Sequence, residues 1–253
     1  MGKKWLFGSA LGTLAAAGAG AAVGYTLLRR AGLRWGATDA EVGKALPGDG
    51  AIADAEIVTT HAVTVDAPPA ASWPWLVQQG YGRAQWYTDA PWDPFLETVV
   101  YPAMVPADKL PPGGKAPRSA TAIRPELQHL AVGDVVPDGP PGTAWFTVVE
   151  IQPQRAIVYY SDTHADFLCP VFLQGTRWET HGAFTWAFVL EPVTAQSTRL
   201  LLRARCTLTP RAMQRLILPA FYLAEALTPR RMLCGIKARV EKAKEHQYAE
   251  ERG

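Results

Sequence analysis

An alternating strand that leads directly into a short aromatic helix, within residues 56–80, constrains the fold of this chain more than any other stretch. In residues 57–65 apolar side chains share one face at period two, which predicts a strand with one buried face. Pro68 and Pro69 suit the first turn of a helix, because a missing N–H has no partner there, and Asp66 can cap that helix. A strand followed at once by a small helix favours a sheet that wraps around something.

The composition sets the size of the domain and excludes several partners. A chain of 253 residues with nine tryptophans can bury a sizeable core, and we expect one domain with an appendage. The net charge is only +2, and no run of Lys and Arg is interleaved with aromatic residues, so nucleic acid is not an expected partner. Cys169, Cys206 and Cys234 are too widely spaced for a zinc site or a disulfide framework, and neither a metal nor a cofactor is predicted.

The segment from Trp5 to Leu28 is uncharged and is flanked by Lys3-Lys4 and Arg29-Arg30. As a helix with a rise of about 1.5 Å per residue, it is long enough to cross a hydrocarbon core of roughly 30 Å. A cleaved signal peptide ending near residues 17–19, and a buried or disordered leader, are the alternatives. We therefore expect a single-pass protein of the cell membrane, with the bilayer as a partner through residues 5–28. Free thiols favour the cytoplasmic side for the domain.

The rest of the chain divides into a linker, a domain and a tail. Residues 1–30 are the predicted anchor, 31–55 a juxtamembrane linker, 56–246 the domain and 247–253 a charged tail. Within the linker, Thr38-x-x-Glu41 has the spacing of a capping box. The irregular, Pro-rich stretch from Pro106 to Ser119 is either a lid or an inert surface loop.

Alternating apolar residues in the second half of the chain predict antiparallel strands. These strands are expected at Thr143–Ile151, Arg155–Ser161, Arg177–Glu191 and Thr198–Leu208. Two helices follow, one from Pro210 to Ala226 and one capped by Thr228. Helices on one face of an antiparallel sheet make an α+β layer, and the space between sheet and helix often holds an apolar ligand.

Several stretches resemble one family of proteins. They include Thr64-Val65-Asp66-Ala67-Pro68-Pro69, Arg124-Pro125-Glu126-Leu127, Trp186-Ala187-Phe188-Val189-Leu190-Glu191-Pro192 and Arg231-Met232-Leu233-Cys234-Gly235. These are similar to actinobacterial-type SRPBCC proteins of the START/polyketide cyclase-dehydratase superfamily, over roughly residues 35–243. The resemblance implies a helix-grip (START-like) fold, in which an antiparallel sheet wraps a C-terminal helix around an apolar cavity, preceded by a membrane segment. Where relatives tend to carry Gly-Arg-Gly-Gly, this chain has Gly82-Arg83-Ala84-Gln85, so a shared polar site is not expected.

Two groups of residues are candidates for a functional site. The predicted ligand-binding residues are Trp73, Trp186, Phe188, Met232, Ile236 and Val240 in the cavity, with Arg124 at its mouth. Core packing, and for Arg124 a salt bridge with Glu126, are the structural alternatives. The candidate catalytic residues are His61, Asp162 and His164, as acid and base or, with Asp166, as metal ligands; a core histidine and a solvated turn are their alternatives.

Three functions remain open at this point. The first is a membrane-tethered domain that holds a lipid, isoprenoid or polyketide-like molecule. The second is an enzyme of the cyclase or dehydratase type, which requires the candidate catalytic residues to converge in one pocket. The third is a filled, ligand-free interaction module, which an exposed apolar patch would favour.

Overall fold

Six strands make up one antiparallel sheet, and a long C-terminal helix packs against its inner face. The structure is a computed structural model, and it describes residues 3–89, 117–167, 169 and 171–250. The strands are β1 (Ile57–Val65), β2 (Val135–Pro137), β3 (Trp145–Gln152), β4 (Ala156–Ser161), β5 (His181–Thr194) and β6 (Ser197–Thr209), in the spatial order β1-β6-β5-β4-β3-β2. The helices of the described residues are α1 (Lys3–Arg34), α2 (Asp39–Gly43), α3 (Pro69–Val77), α4 (Thr163–Phe167) and α5 (Arg211–Glu250). Short 3-10 turns lie at Asp49–Ile52, Pro125–Leu127 and Val171–Leu173.

The predicted α+β class is confirmed, and the arrangement is consistent with a helix grip. β1 spans the residues predicted from their alternation, and it pairs along its whole length with β6. The other predicted strands shift only at their ends; β5, for example, begins at His181 because a turn occupies the residues before it. The stretch Pro106–Ser119, predicted as either a lid or an inert surface loop, lies almost wholly outside the described residues. The predicted tail at 247–253 is described only as far as residue 250, where α5 ends.

The helix after β1 begins as predicted but is capped differently. Pro68 occupies the N-cap position of α3 and Pro69 its first turn. Asp66, the predicted cap, instead uses its backbone N–H to donate to Glu241 Oε1 at 2.8 Å. This contact ties the start of α3 to the far end of α5, which no local pattern could indicate.

One continuous helix replaces the two helices predicted at the C-terminus, so the predicted helix start at Thr228 is wrong. Pro219 and Pro229 both lie inside α5. A proline removes one N–H donor and displaces a carbonyl, but a helix can continue where tertiary packing holds both sides of it. Here Tyr222 is buried between the two prolines, and Met232 is buried in the core beyond the second.

Helix α1 covers the segment predicted as a membrane anchor and runs beside α5. A Cβ atom at Gly32 would come within 2.5 Å of the backbone oxygen of Tyr222, and the rings of Tyr25 and Tyr222 meet edge to face. Among the described helices, none is long and apolar enough to cross a membrane. The structure therefore gives no support to the transmembrane helix predicted for residues 5–28, and the membrane location stays a prediction.

The predicted linker, residues 31–55, begins as the end of α1, and its remaining part, residues 35–55, covers the outer face of the sheet. The capping box of α2 is confirmed: Glu41 N–H donates to Thr38 Oγ1, and Thr38 N–H donates to Glu41 Oε2. Arginines of β6 hold this segment down. Arg199 donates to Glu41, and the buried Arg203 donates to the carboxylate of Asp49 at 2.9 Å and to three backbone carbonyls.

Candidate functional site

The inner face of the sheet carries a continuous apolar core beneath α5. Five of the predicted ligand-binding residues are buried in it: Trp186, Phe188, Met232, Ile236 and Val240. Trp73, on α3, is half-buried at the edge of the same core. Arg124 lies apart from them, and its backbone N–H donates to Gln78 Oε1 at 2.9 Å. The structure thus brings six of the seven predicted residues together, as packed side chains.

Three hydrogen-bond donors are buried in this core without an acceptor. Trp86 Nε1, Trp186 Nε1 and Tyr159 Oη have no partner among the residues that the structure describes. The ring of Trp86 contacts both others, with centroid distances of 5.7 Å to Tyr159 and 5.4 Å to Trp186. Burial raises the pKa of Tyr159 well above its ordinary value, so the phenol stays a neutral donor. Since unpaired buried donors cost free energy, this donor cluster is a place where an acceptor on another molecule would be stabilised.

A cavity of about 180 Å³ lies beside the donor cluster, between the end of the sheet and the first half of α5. Phe184 and Cys206, which pair across β5 and β6, line its floor, and Ile217 and Phe221 on α5 line the opposite side. The other lining residues are His164, Ala165, Thr180, Ala183, Thr207 and Leu208. Because the Phe184 ring also contacts Trp186, at a centroid distance of 5.6 Å, the cavity and the donor cluster are neighbours.

The thiol of Cys206 belongs to the apolar wall of this cavity. Burial, and then the nearby carboxylates of Glu225 and Glu56, raise its pKa to about 12. Nucleophilic chemistry requires the thiolate, which is scarce at neutral pH when the pKa is this high. The structure therefore favours a packing role for Cys206 over a catalytic one.

His164 lies at one end of the cavity and bridges two side chains. Its Nδ1 is 2.7 Å from Ser161 Oγ, and its Nε2 is 3.1 Å from Asp138 Oδ2. A carboxylate only accepts, so Nε2 donates to Asp138 and Nδ1 can accept from Ser161, as in a nucleophilic Ser-His-Asp site. However, Ser161 is only 3% exposed, and its Oγ already accepts the N–H of Thr163. Ser161 is therefore buried and already hydrogen-bonded at the start of α4, and it is not an accessible nucleophile.

His61 lies fully buried on the inner face of β1, beneath α5. Neither ring nitrogen has a hydrogen-bond partner within the described residues, and Nε2 is 3.5 Å from Glu225 Oε2. Thr59 donates its hydroxyl to the same carboxylate oxygen at 2.7 Å. Thr59 pairs with Ala204, two positions before Cys206 on the same face of β6, so this polar cluster lies next to the cavity wall.

The predicted acid–base residues do not meet in one pocket. His61 is on β1, whereas His164 contacts Phe184 of β5, two strands away in the sheet. Asp162 is exposed in the bend before α4. Asp166 contacts His181 at 3.1 Å, and both side chains are exposed. Across the described ranges, no group of three His, Cys, Asp or Glu residues is placed to hold a metal ion.

Sequence reasoning did not select Glu225, Asp138 or Trp86. Glu225 was detectable, because it is the single acid in a long apolar and basic stretch of helix. Asp138 lies in a Pro- and Gly-rich loop without periodicity. Trp86 lies between two residues with positive φ, Gln85 at 63° and Tyr87 at 58°, a backbone path that no sequence pattern predicts.

Comparisons with known proteins do not assign a family. No family description and no curated protein matches the chain. Among solved structures, the hypothetical protein jhp0584 from Helicobacter pylori aligns at a TM-score of 0.41 and 11% identity, over 77% of this chain and 94% of that one. Protein MLL2253 from Mesorhizobium loti aligns at a TM-score of 0.36 and 13% identity, over 72% of this chain and 97% of that one. CalU16 from Micromonospora echinospora aligns at a TM-score of 0.29 and 12% identity, over 73% of this chain and 84% of that one. Likenesses at this level carry no conclusion about function.

Proposed function

We propose that this protein binds an apolar small molecule in the cavity between the sheet and the first half of α5. The observation that carries the proposal is the cavity itself, whose wall is formed mainly by apolar side chains such as Phe184, Leu208, Ile217 and Phe221. Apolar pockets with few polar groups are the usual form of small-molecule sites. The sheet that grips α5 also supports the START-like, helix-grip membership that the sequence motifs suggest.

The size of the cavity limits what it can hold. Its volume of about 180 Å³ is close to that of engineered apolar cavities of about 150 Å³ that bind benzene, so it accepts a ring or a short acyl segment. Burying about 150 Å² of apolar ligand surface contributes roughly 4 kcal/mol, which corresponds to only about millimolar affinity. A physiological ligand is therefore longer than the enclosed part and extends along the mouth of the cavity.

The donor cluster narrows the chemistry of the ligand. Trp186, whose indole N–H lacks an acceptor, lies directly behind Phe184 of the cavity wall, and Trp86 and Tyr159 follow it deeper in the core. A ligand whose carbonyl or ester oxygen reached past Phe184 would supply the acceptor that the Trp186 indole lacks, at a gain of about 1 kcal/mol or more. The proposed ligand is thus a lipid-, isoprenoid- or polyketide-like molecule that carries a hydrogen-bond acceptor.

Substitution of one cavity residue tests the proposal. Ile217→Gln places an amide in the cavity wall, and we expect the affinity for a fluorescent fatty acid to fall by about tenfold. Cys234→Gln, an exposed position on the same helix, is the matched control and should leave the affinity unchanged. Native mass spectrometry of the purified protein would then give the mass of any co-purifying molecule.

Two results would contradict ligand binding in the cavity. If the wild-type chain takes up no apolar probe, or if Ile217→Gln and Cys234→Gln bind it alike, the cavity is not a binding site. The protein would then be better described as an interaction module, and the exposed apolar surface of α5 would be the place to look.

A further inference from the structure

The outer face of the first half of α5 carries an exposed apolar stripe. Leu216, Leu223 and Leu227 recur at spacings of seven and four residues, so they share one face of the helix. Leu216 is 72% exposed and Leu223 is 51% exposed. Val23 and Leu27 of α1, which packs against α5, are also exposed. Exposed apolar side chains grouped in this way mark an interaction surface.

The exposed charges that α1 and the first half of α5 bring to this leucine stripe have one sign. Residues 1–38 contain no Asp or Glu, and residues 211–240 contain only Glu225. Glu225 is 5% exposed and is bound to Thr59 on the inner side of α5, so it does not contribute to the outer face. The stripe is therefore free of competing acidic side chains from its own helix.

Arginines lie at both ends of the leucine stripe. Arg215 is exposed at its start, and Arg230 is exposed at its end, where its guanidinium also stacks over Trp35 at 5.2 Å. Arg29 and Arg30 of α1 extend the basic surface. Apolar side chains between basic ends are typical of helices that lie in the interface of an anionic membrane.

We infer that the outer face of the first half of α5 docks on the surface of an anionic lipid bilayer. The leucines of the stripe enter the boundary between headgroups and acyl chains, and the arginines contact the lipid phosphates. Ile217, which lines the cavity, is next in sequence to Leu216 of the stripe. The cavity would then lie close to the bilayer, which is a source of apolar molecules. This consequence rests on the proposed function, but the docking itself does not depend on it.

The charge pattern favours lipid over a second copy of the chain. In a two-fold contact through the stripe, the basic end of one copy would face the basic end of the other, and like charges in contact destabilise a complex. An anionic bilayer supplies both the negative charge and the apolar layer that this face requires. Lipid is therefore the occupant to which the geometry points.

Vesicle co-sedimentation of the full chain, without any apolar probe, tests the inference. We expect binding to vesicles of phosphatidylcholine mixed with phosphatidylglycerol, weakening at high salt, and little binding to phosphatidylcholine alone. Combining Leu216→Glu with Leu223→Glu should lower the affinity by at least about tenfold. Arg215→Glu should lower it by about fivefold or more. Val193→Glu, an exposed apolar position at the end of β5, is the control and should bind like wild type.

Three results would overturn the inference. The double leucine variant could bind as well as wild type, or Val193→Glu could weaken binding equally. Alternatively, the wild-type chain could form a dimer that the leucine variant abolishes while neither binds vesicles, which would assign the stripe to a second copy. Thermal melts of all variants separate loss of binding from loss of fold. Probe binding is measured without vesicles, so a negative vesicle result leaves the proposed ligand binding intact. In the same way, a negative probe result leaves the proposed membrane docking intact.

Discussion

Filling the cavity should make the protein more stable and a poorer binder at the same time. The sulfur of Cys206 lies on the cavity floor, paired with Phe184 on the neighbouring strand. Cys206→Leu adds two heavy atoms that can extend into the cavity without displacing packed side chains. At about 0.8 kcal/mol for each buried methylene-sized group, the free energy of unfolding should rise by about 1.5 kcal/mol. For a chain of this size, that corresponds to an increase in Tm of roughly 3–6 °C.

The same substitution should weaken binding of a fluorescent fatty acid by about tenfold, because the leucine occupies part of the space that the probe needs. Cys234→Leu is the matched control, since Cys234 is exposed on α5 and lies outside the cavity lining. Thermal unfolding followed by circular dichroism and a probe titration measure the two effects separately. A Cys206→Leu protein that is destabilised by 1 kcal/mol or so, yet binds the probe normally, would refute the reasoning. It would mean that the wall has already closed around Cys206.

Two further predictions concern the stability of the fold. The hydrogen bond from Arg199 lowers the pKa of Glu41 from 4.5 to about 2, so the unfolded chain takes up this proton first as the pH falls. Ionised Glu41 thereby contributes on the order of 3 kcal/mol to the free energy of unfolding. This stabilisation is complete above pH 4.5 and is lost between about pH 4.5 and 2. In Glu41→Gln, the free energy of unfolding, measured with urea at pH 6 and pH 3, should fall less between the two pH values than in wild type. An equal fall in both proteins would contradict the prediction. Gly235→Ala should lower the free energy of unfolding by about 1–2 kcal/mol, because a Cβ atom there would meet Tyr87 O at 2.1 Å. Gly24→Ala, which has open space around it, should raise the free energy of unfolding by up to about 1 kcal/mol. Thermal melts measure both changes. Equal effects of the two alanines would show that α5 does not approach Tyr87 so closely.

The candidate site was only partly predictable from sequence. Periodicity identified Trp186 and Phe188 as inward-facing residues of a strand, and both are buried in the core. It could not show that they are packed while the open space lies further along the sheet, around Phe184 and Cys206. Which inward position borders a cavity depends on the height of α5 above the sheet at that point, and that height is not encoded in any one strand.

The sequence by itself determined the local features of this protein. Alternation defined β1 and the two faces of β6, and the capping box of Thr38 and Glu41 formed as its spacing requires. These features depend on residues a few positions apart, whose geometry is fixed by the backbone.

Only the tertiary structure decided where α5 runs and what lies beneath it. Packing of Tyr222 against α1 carries α5 through two prolines that, from sequence, end a helix. Thr59 and Glu225 meet across 166 positions of sequence, and His164 meets Asp138 across 26. Such contacts, and the cavity between them, follow from how sheet and helix are stacked, because packing brings together residues that the chain itself keeps far apart.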